Sequence, residues 1–219
     1  MKSIIDNIKT IISESIEVKS SYINESNYHI YEYLHSKNDV DFTISILLKE
    51  KDGGIVYCPV QYGVNYINLD NLVNNVLIKS GLMTKDNSRW DSFFVPKQTN
   101  EEILLSDDII INSFSKLFYE NILPFFEKWN NLNVLYEFVK DKEDREELND
   151  ILGQFWQFKK ATILRLCNDG NYQEYMDDFV ERRKMIFEKR PDSIDMQRYY
   201  NTAKELKVVL DKTEPVYNV

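Results

Sequence analysis

Beyond a short N-terminal segment, the period of the apolar residues changes near residue 70. Before it, Phe42, Ile44, Ile46 and Leu48 alternate with Thr43, Ser45 and Lys49, and Val60, Tyr62, Val64 and Tyr66 share a face again. A period of two puts side chains on one face of a strand, whereas spacings of three and four mark one face of a helix. Beyond residue 70 the second spacing holds almost to the end. The chain is therefore expected to be α+β, with an N-terminal helix and antiparallel β-meander followed by a C-terminal α-helical array. Residues 1–100 form the sheet region in this reading and 101–219 the helical region. No low-complexity stretch or flexible linker separates them, which favours one continuous unit.

Local signals fill in the outline. Ile4, Ile5, Ile8, Ile11 and Ile12 fall on one side of a short helix over residues 2–15. Lys51-Asp52-Gly53-Gly54 supplies turn residues that tolerate positive φ, a hairpin signal, and the returning strand runs from Ile55 to Ile67. Pro59 cannot donate to a ladder and marks an edge or a bulge. Asp70 opens a helix with Leu72, Val73, Val76 and Leu77 that Gly81 ends. Residues 82–100 read as irregular. Ser106 has the chemistry of an N-cap, with Asp107 and Asp108 in the first turn where the helix dipole favours them. Pro124 is expected to open a helix through Phe125, Trp129, Leu132, Leu135, Tyr136 and Val139. Another runs through Leu148, Ile151, Leu152, Phe155 and Trp156 toward Leu166. Asn168-Asp169-Gly170 breaks the pattern, Tyr172 restarts it, and Pro191 stops it near Arg190. A last helix uses Ile194, Tyr199, Ala203, Leu206 and Leu210, and the tail from Thr213 is expected to be loose.

Composition bounds the function. A chain of 219 residues can bury roughly 70% of its unfolded surface and needs no staples. Fourteen Tyr, twelve Phe and three Trp point to a core filled by rings. The net charge is −9, and most of it lies in the back half. Residues 1–100 hold ten Lys and Arg against twelve Asp and Glu, residues 101–219 seventeen against twenty-four. A net-acidic chain is poorly suited to nucleic acid, which needs cations to displace counterions from phosphates. It suits a basic protein partner better. The N-terminus lacks the apolar core of a signal peptide, and no window approaches the ~20 apolar residues of a membrane span. Cys58 and Cys167 stand far apart without metal-ligand spacing, as reduced cysteines in a cytoplasm do.

Motifs for chemistry are absent. No G-x-x-x-x-G-K-[ST], G-x-G-x-x-G or G-x-S-x-G occurs, so no cofactor is expected. His29 and His35 share one face of a strand, roughly 20 Å apart at ~3.3 Å per residue, too far to ligate one metal. Asp107-Asp108, Glu143-Asp144 and Asp177-Asp178 point about 100° apart on helices and read as solvated faces. Asp177 and Asp178 also stand as candidate partner contacts. Arg182-Arg183-Lys184 with Lys189 and Arg190 suits the last turns of a helix, and Glu181 and Glu188 dilute it as a binding patch. Arg89-Trp90-Asp91, beside Phe93 and Phe94, fits two readings. It is either a contact point, since Trp and Arg dominate interface hot spots, or a roof over the sheet. Tyr62 and Tyr66 carry the same choice between core and recognition surface.

Two resemblances add to this. Ala161 through Met185, with the turn Gly170-Asn171-Tyr172-Gln173-Glu174 and Phe179 beyond it, resembles one tetratricopeptide-type helical hairpin, although Tyr175 or Met176 stands where that hairpin usually has Ala. Over roughly residues 1–190, several segments together are similar to domain of unknown function 4304 and related small bacterial domains. They are the N-terminal helix, Phe42-Thr43-Ile44-Ser45-Ile46, Tyr62-Gly63-Val64 leading into a helix, Leu123-Pro124-Phe125-Phe126 and the Gly170 hairpin. Such families have no settled activity, and some members resemble immunity proteins that neutralise bacterial toxins. The resemblance therefore implies a non-enzymatic, partner-binding protein and assigns no catalytic residue. An enzyme using Arg89, Asp91 and a nearby Tyr, or a self-associating structural protein, are the alternatives.

Overall fold

The computed structural model describes residues 2–25, 28–51, 54–57, 60–85, 93–94, 103–104 and 106–217. It is α+β, with an N-terminal helix, an antiparallel sheet and a C-terminal helical array. Two compact units divide the chain: residues 1–65 with 94–130, and residues 66–93 with 131–219.

The first unit begins with α1 (Lys2–Ser13), whose Ile4, Ile8 and Ile12 are fully buried. Strands β1 (Lys19–Glu25), β2 (Tyr28–Lys37) and β3 (Val40–Lys51) form an antiparallel meander, with Tyr22 opposite Tyr31 and Tyr33 opposite Ile44. β2 and β3 are joined by Asn38 and Asp39 alone, both at positive φ. That is the pattern of the tight hairpin turn whose twist matches the strands, and Asn and Asp tolerate it better than most residues. β3 obeys the period-two rule: Phe42, Ile44, Ile46 and Leu48 are buried while Thr43, Ser45 and Leu47 are half-buried. β4 (Gly54–Tyr57) pairs with β3 in the hairpin register Lys51 opposite Gly54, and the turn residues Asp52 and Gly53 lie outside the described residues, as does Pro59. The single returning strand expected over Ile55–Ile67 is two strands, β4 and β5 (Gln61–Tyr66). β5 pairs with β3 and with β6 (Phe93–Phe94), and β4 pairs with β7 (Ile103–Leu104).

A helical run closes this unit. α3 (Asp107–Leu117) follows Ser106, passes through a π-helical turn over Phe118–Ile122, and continues as α4 (Leu123–Lys128). Pro124 was expected to open a helix, and it is the second residue of α4, which continues directly from the π-helical turn. A proline inside a helix removes one N–H and crowds the carbonyl four residues back. Just before it the Leu123 N–H bonds to the Phe118 carbonyl five residues back, the wider spacing of a π turn, which is common where proline interrupts the regular ladder. The π turn also serves packing. Ile110, Phe114, Phe118, Ile122 and Phe126 repeat every four residues and are all buried. Four residues overshoot an α-helical turn of 3.6, so such a stripe drifts around a pure α-helix, and one wider turn takes back part of that drift. Phe126 meets Phe42 of β3 at 4.8 Å between ring centroids, and Phe125 meets Tyr62 edge-on at 5.5 Å.

In the second unit α2 (Ile67–Lys79) starts three residues ahead of Asp70, because Tyr66 leaves the strand directly into the helix. Gly81 follows at φ +74°, in the left-handed region that ends helices at glycine. The pattern expected to run as one helix from Pro124 to Val139 breaks at Trp129–Asn131. Asn131 caps α5 (Leu132–Val139) through its side chain. Likewise the helix expected from Leu148 to Leu166 is two, α6 (Arg145–Leu152) and α7 (Trp156–Leu166), parted by Gly153 at φ +76°. α8 (Tyr172–Lys189) and α9 (Ile194–Leu210) complete the array.

α7 is the centre of this unit and packs against α2, α5, α6, α8 and α9. Phe158, Ala161, Thr162, Ile163, Leu164 and Leu166 are all buried, so α7 lacks the polar face of a surface helix. Ala161 itself is fully buried. The segment expected to be a loose tail is tied back. The Val216 and Tyr217 N–H groups both donate to the Leu166 carbonyl, and Arg165 Nε donates to the carbonyls of Leu210 and Thr213. Replacing Arg165 with Met should free the tail at little global cost. Hydrogen exchange at the Val216 and Tyr217 amides should then speed by about tenfold or more, as the loss of about 1.5–3 kcal/mol from charged hydrogen bonds implies. Unchanged protection would mean the tail is held by other contacts.

Candidate functional site

Among the described residues no three His, Cys, Asp or Glu side chains gather as metal ligands, and no helix is long and apolar enough to cross a membrane. His35 Nδ1 lies 2.7 Å from the Glu17 carbonyl and stacks its ring on Phe42, while His29 pairs with the Tyr22 hydroxyl at 2.7 Å. Both imidazoles serve the sheet. Cys167 is buried, its thiol pushed up to about 12 by burial and then by the Asp169 and Glu137 carboxylates, which makes it a poor nucleophile.

Of the residues singled out from sequence, Tyr62, Tyr66, Asp177 and Asp178 lie among the described residues. Tyr62 and Tyr66 are buried, Tyr62 against Phe125, and burial raises both hydroxyls above their ordinary pKa. Asp177 accepts from Gln173 and pairs with Lys207 at 3.2 Å. Those partners hold its carboxyl below the usual range. Asp178 pairs with Arg182 at 3.1 Å along the same helix. Arg89, Trp90 and Asp91 lie outside the described residues.

What the fold does assemble lies between α7 and α8 and at the free end of the α8–α9 hairpin. The turn into α8 is built by Asp169. Its carboxylate accepts from the Asn171 N–H at 2.6 Å and from the Tyr136 hydroxyl at 2.8 Å. From there α7 and α8 run antiparallel, with Phe158 edge-on to Phe179 at 4.9 Å. Along one side, Gln157 and Lys160 of α7, three apart, meet Tyr175, Phe179 and Arg183 of α8, four apart. Lys160 is only 5% exposed. Its Nζ donates to the Lys142 carbonyl at 2.5 Å and lies 5.5 Å from the centroid of the Tyr175 ring. The Arg183 guanidinium donates to Gln157 Oε1 and is flanked by the rings of Phe179 and Tyr199 at 5.5 and 4.8 Å. Burial lowers the pKa of both cations, since low dielectric disfavours the charged form. Among the described residues no carboxylate pairs with either of them.

Further along, α8 runs out of core. Its buried residues are Tyr172, Met176 and Phe179, whereas Met185 and Ile186 are 49% and 40% exposed and Ile194, opening α9, is 65% exposed. Phe187 and Tyr200 stack at 6.0 Å and join the two helices there. Ser193 caps α9 by accepting from the Met196 N–H. Residues 182–204 carry seven Lys and Arg against three Asp and Glu, in a chain whose net charge is −9. Sequence reasoning noted the cluster at Arg182–Lys184 but treated it as a helix end. It missed Lys160, which looks like an ordinary surface lysine until α7 proves to be enclosed.

Comparison with known proteins finds no matching family model, no matching curated protein and no matching solved structure.

Proposed function

We propose that this chain is a non-enzymatic protein-binding protein, of the regulatory or immunity type, and that it meets its partner with the free end of the α8–α9 hairpin. The observation that carries the reading is the exposure of Met185, Ile186 and Ile194 on a segment rich in arginine and lysine. Large apolar side chains with Arg beside them are what protein interfaces enrich, and scattered cations around them steer association. Asp177 and Asp178 are engaged within the chain. The charge offered here is positive, so an acidic partner surface complements it. The immunity type is drawn from the resemblance to domain of unknown function 4304.

Immobilised protein should retain one stoichiometric, acidic protein from its source lysate. The double substitution Met185→Glu and Ile186→Glu should weaken that complex by about 30-fold or more, the effect of losing one interface hot spot of about 2 kcal/mol. High salt should slow its formation. A blank lysate, or equal capture by the substituted protein, sinks this assignment of the surface.

A further inference from the structure

Among the described residues, the sheet of the first unit ends on an unpaired edge. β1 is the terminal strand of the order β1-β2-β3-β4-β7 and pairs there with β2 alone. Lys19, Ser20, Ser21, Tyr22 and Asn24 are exposed and Ile23 is half-buried, so no other element covers that edge among the described residues. A terminal strand turns every second N–H and C=O outward, which is a template for another strand. Proteins commonly block such an edge with a proline, a bulge, or a charge turned toward the buried side of the sheet. β1 has none of these. It runs in one-to-one register with β2 over all seven residues and contains no proline. Directly opposed residues share a face of the sheet. Ser20 is opposite the buried Tyr33, so Ser20, Tyr22 and Asn24 lie on the core side, and none of them carries a charge. The charged residues, Lys19 and Glu25, stand at the two ends instead. Tyr22 is 51% exposed and stacks on Tyr31 of β2 at 4.8 Å.

We propose that β1 is a docking edge for a second copy of this chain, the two β1 strands pairing antiparallel about Tyr22. An antiparallel strand meets its own copy across a two-fold axis, and the register that pairs all seven residues opposes Tyr22 to Tyr22. That register sets Lys19 opposite Glu25 at both ends, Ser20 opposite Asn24, and Ser21 opposite Ile23. The charge pattern of β1 is therefore complementary to itself read backwards, and opposed charges and opposed rings are the cross-strand pairs that stabilise a sheet. The Tyr22 rings carry the stack on Tyr31 across the axis. An in-register parallel pairing would oppose Lys19 to Lys19 and Glu25 to Glu25, which disfavours it. One strand edge is a small interface of the weak, transient class, so a micromolar dimer is expected. The edge belongs to the first unit, whereas Met185, Ile186 and Ile194 belong to the second, so self-pairing is independent of the partner-binding reading.

Sedimentation equilibrium of the full chain from about 10 to about 500 μM brackets such a constant and should show a reversible monomer–dimer equilibrium. Tyr22→Lys sets like charges face to face on the axis and removes the ring pair, and should weaken the dimer by about tenfold or more. Lys19→Glu opposes two carboxylates at each end and should weaken it by about fivefold, and adding Glu25→Lys to that variant should restore it. Lys19 and Tyr22 are exposed, so both single variants should keep the circular dichroism of the native chain. Oxidation with copper phenanthroline should link Tyr22→Cys into a covalent dimer, because directly opposed Cα atoms lie about 4.5–5.5 Å apart, within disulfide reach. Ser20→Cys should stay unlinked, since its two copies are out of register. A chain that remains monomeric at the highest concentration overturns the proposal. So does a dimer that Tyr22→Lys leaves intact, or equal linking of the two oxidised variants. A dimer lost only on Met185→Glu with Ile186→Glu overturns it as well and moves self-association to the hairpin end.

Discussion

Replacing Phe158 with Ala is expected to cost about 3–5 kcal/mol, the range for truncating a fully buried ring. Phe158 is 1% exposed and sits on α7, the helix that five others surround. Its ring meets Phe179 edge-on at 4.9 Å, Phe155 at 6.2 Å and Tyr199 at 6.4 Å. Such pairs add about 0.5–1.5 kcal/mol each beyond the area they bury. The surrounding rings are large and interlocked, so the cavity cannot collapse readily, which places the cost toward the top of the range. A domain is typically stable by only about 5–15 kcal/mol, so the loss takes a large share of it. Phe158→Leu keeps most of the volume and should lose much less. Urea unfolding followed by circular dichroism checks both. A loss under about 1 kcal/mol for Phe158→Ala would contradict the central place of α7.

The second large effect is alkaline unfolding. Burial lifts the Tyr33 hydroxyl from 10.0 to about 12, and burial together with the bond to Asp169 does the same for Tyr136. Tyr66, Tyr172 and Tyr175 shift in the same direction, and Cys167 rises from 9.0 to about 12. Each group is held neutral by the fold. The unfolded chain ionises first, near 9 for the thiol and 10 for the phenols, so the stabilisation is complete below those values and is lost as pH climbs toward 12. Ellipticity at helical wavelengths should therefore collapse in one step between pH 9 and 12. The tyrosinate absorbance of these residues should rise in that same step. Tyrosinates forming one by one near pH 10 while the helices persist would show that the rings are not buried as described.

Much of the fold was legible because local chemistry and global packing agree in the first unit. Ile4, Ile8 and Ile12, then Phe42 to Leu48, carry their burial in their spacing, and a strand or helix needs no distant information to bury one face. The Asn38-Asp39 turn could have been read too, since both residues tolerate positive φ. Boundaries failed where one residue decides them. Gly153 splits a run of helical spacing because its backbone takes φ +76°, and a π turn that no periodicity announces leads straight into α4 ahead of Pro124.

The candidate sites were less legible for a related reason. Tyr62 and Tyr66 looked equally suited to a surface and to a core, and only the position of Phe125 and the start of α2 made them core. Asp177 and Asp178 read as solvated acidic residues, and both are exposed, at 56% and 64%, while pairing with Lys207 and Arg182. By itself the sequence determined the α+β class, because the period of apolar residues is a property of the chain and survives in any packing. It also determined the excess of negative charge. The tertiary structure alone decided that α7 is enclosed, and with it that Lys160 is desolvated and Arg183 is flanked by rings. Burial of a lysine depends on what surrounds its helix on every side, and residues far apart in the chain supply those surroundings.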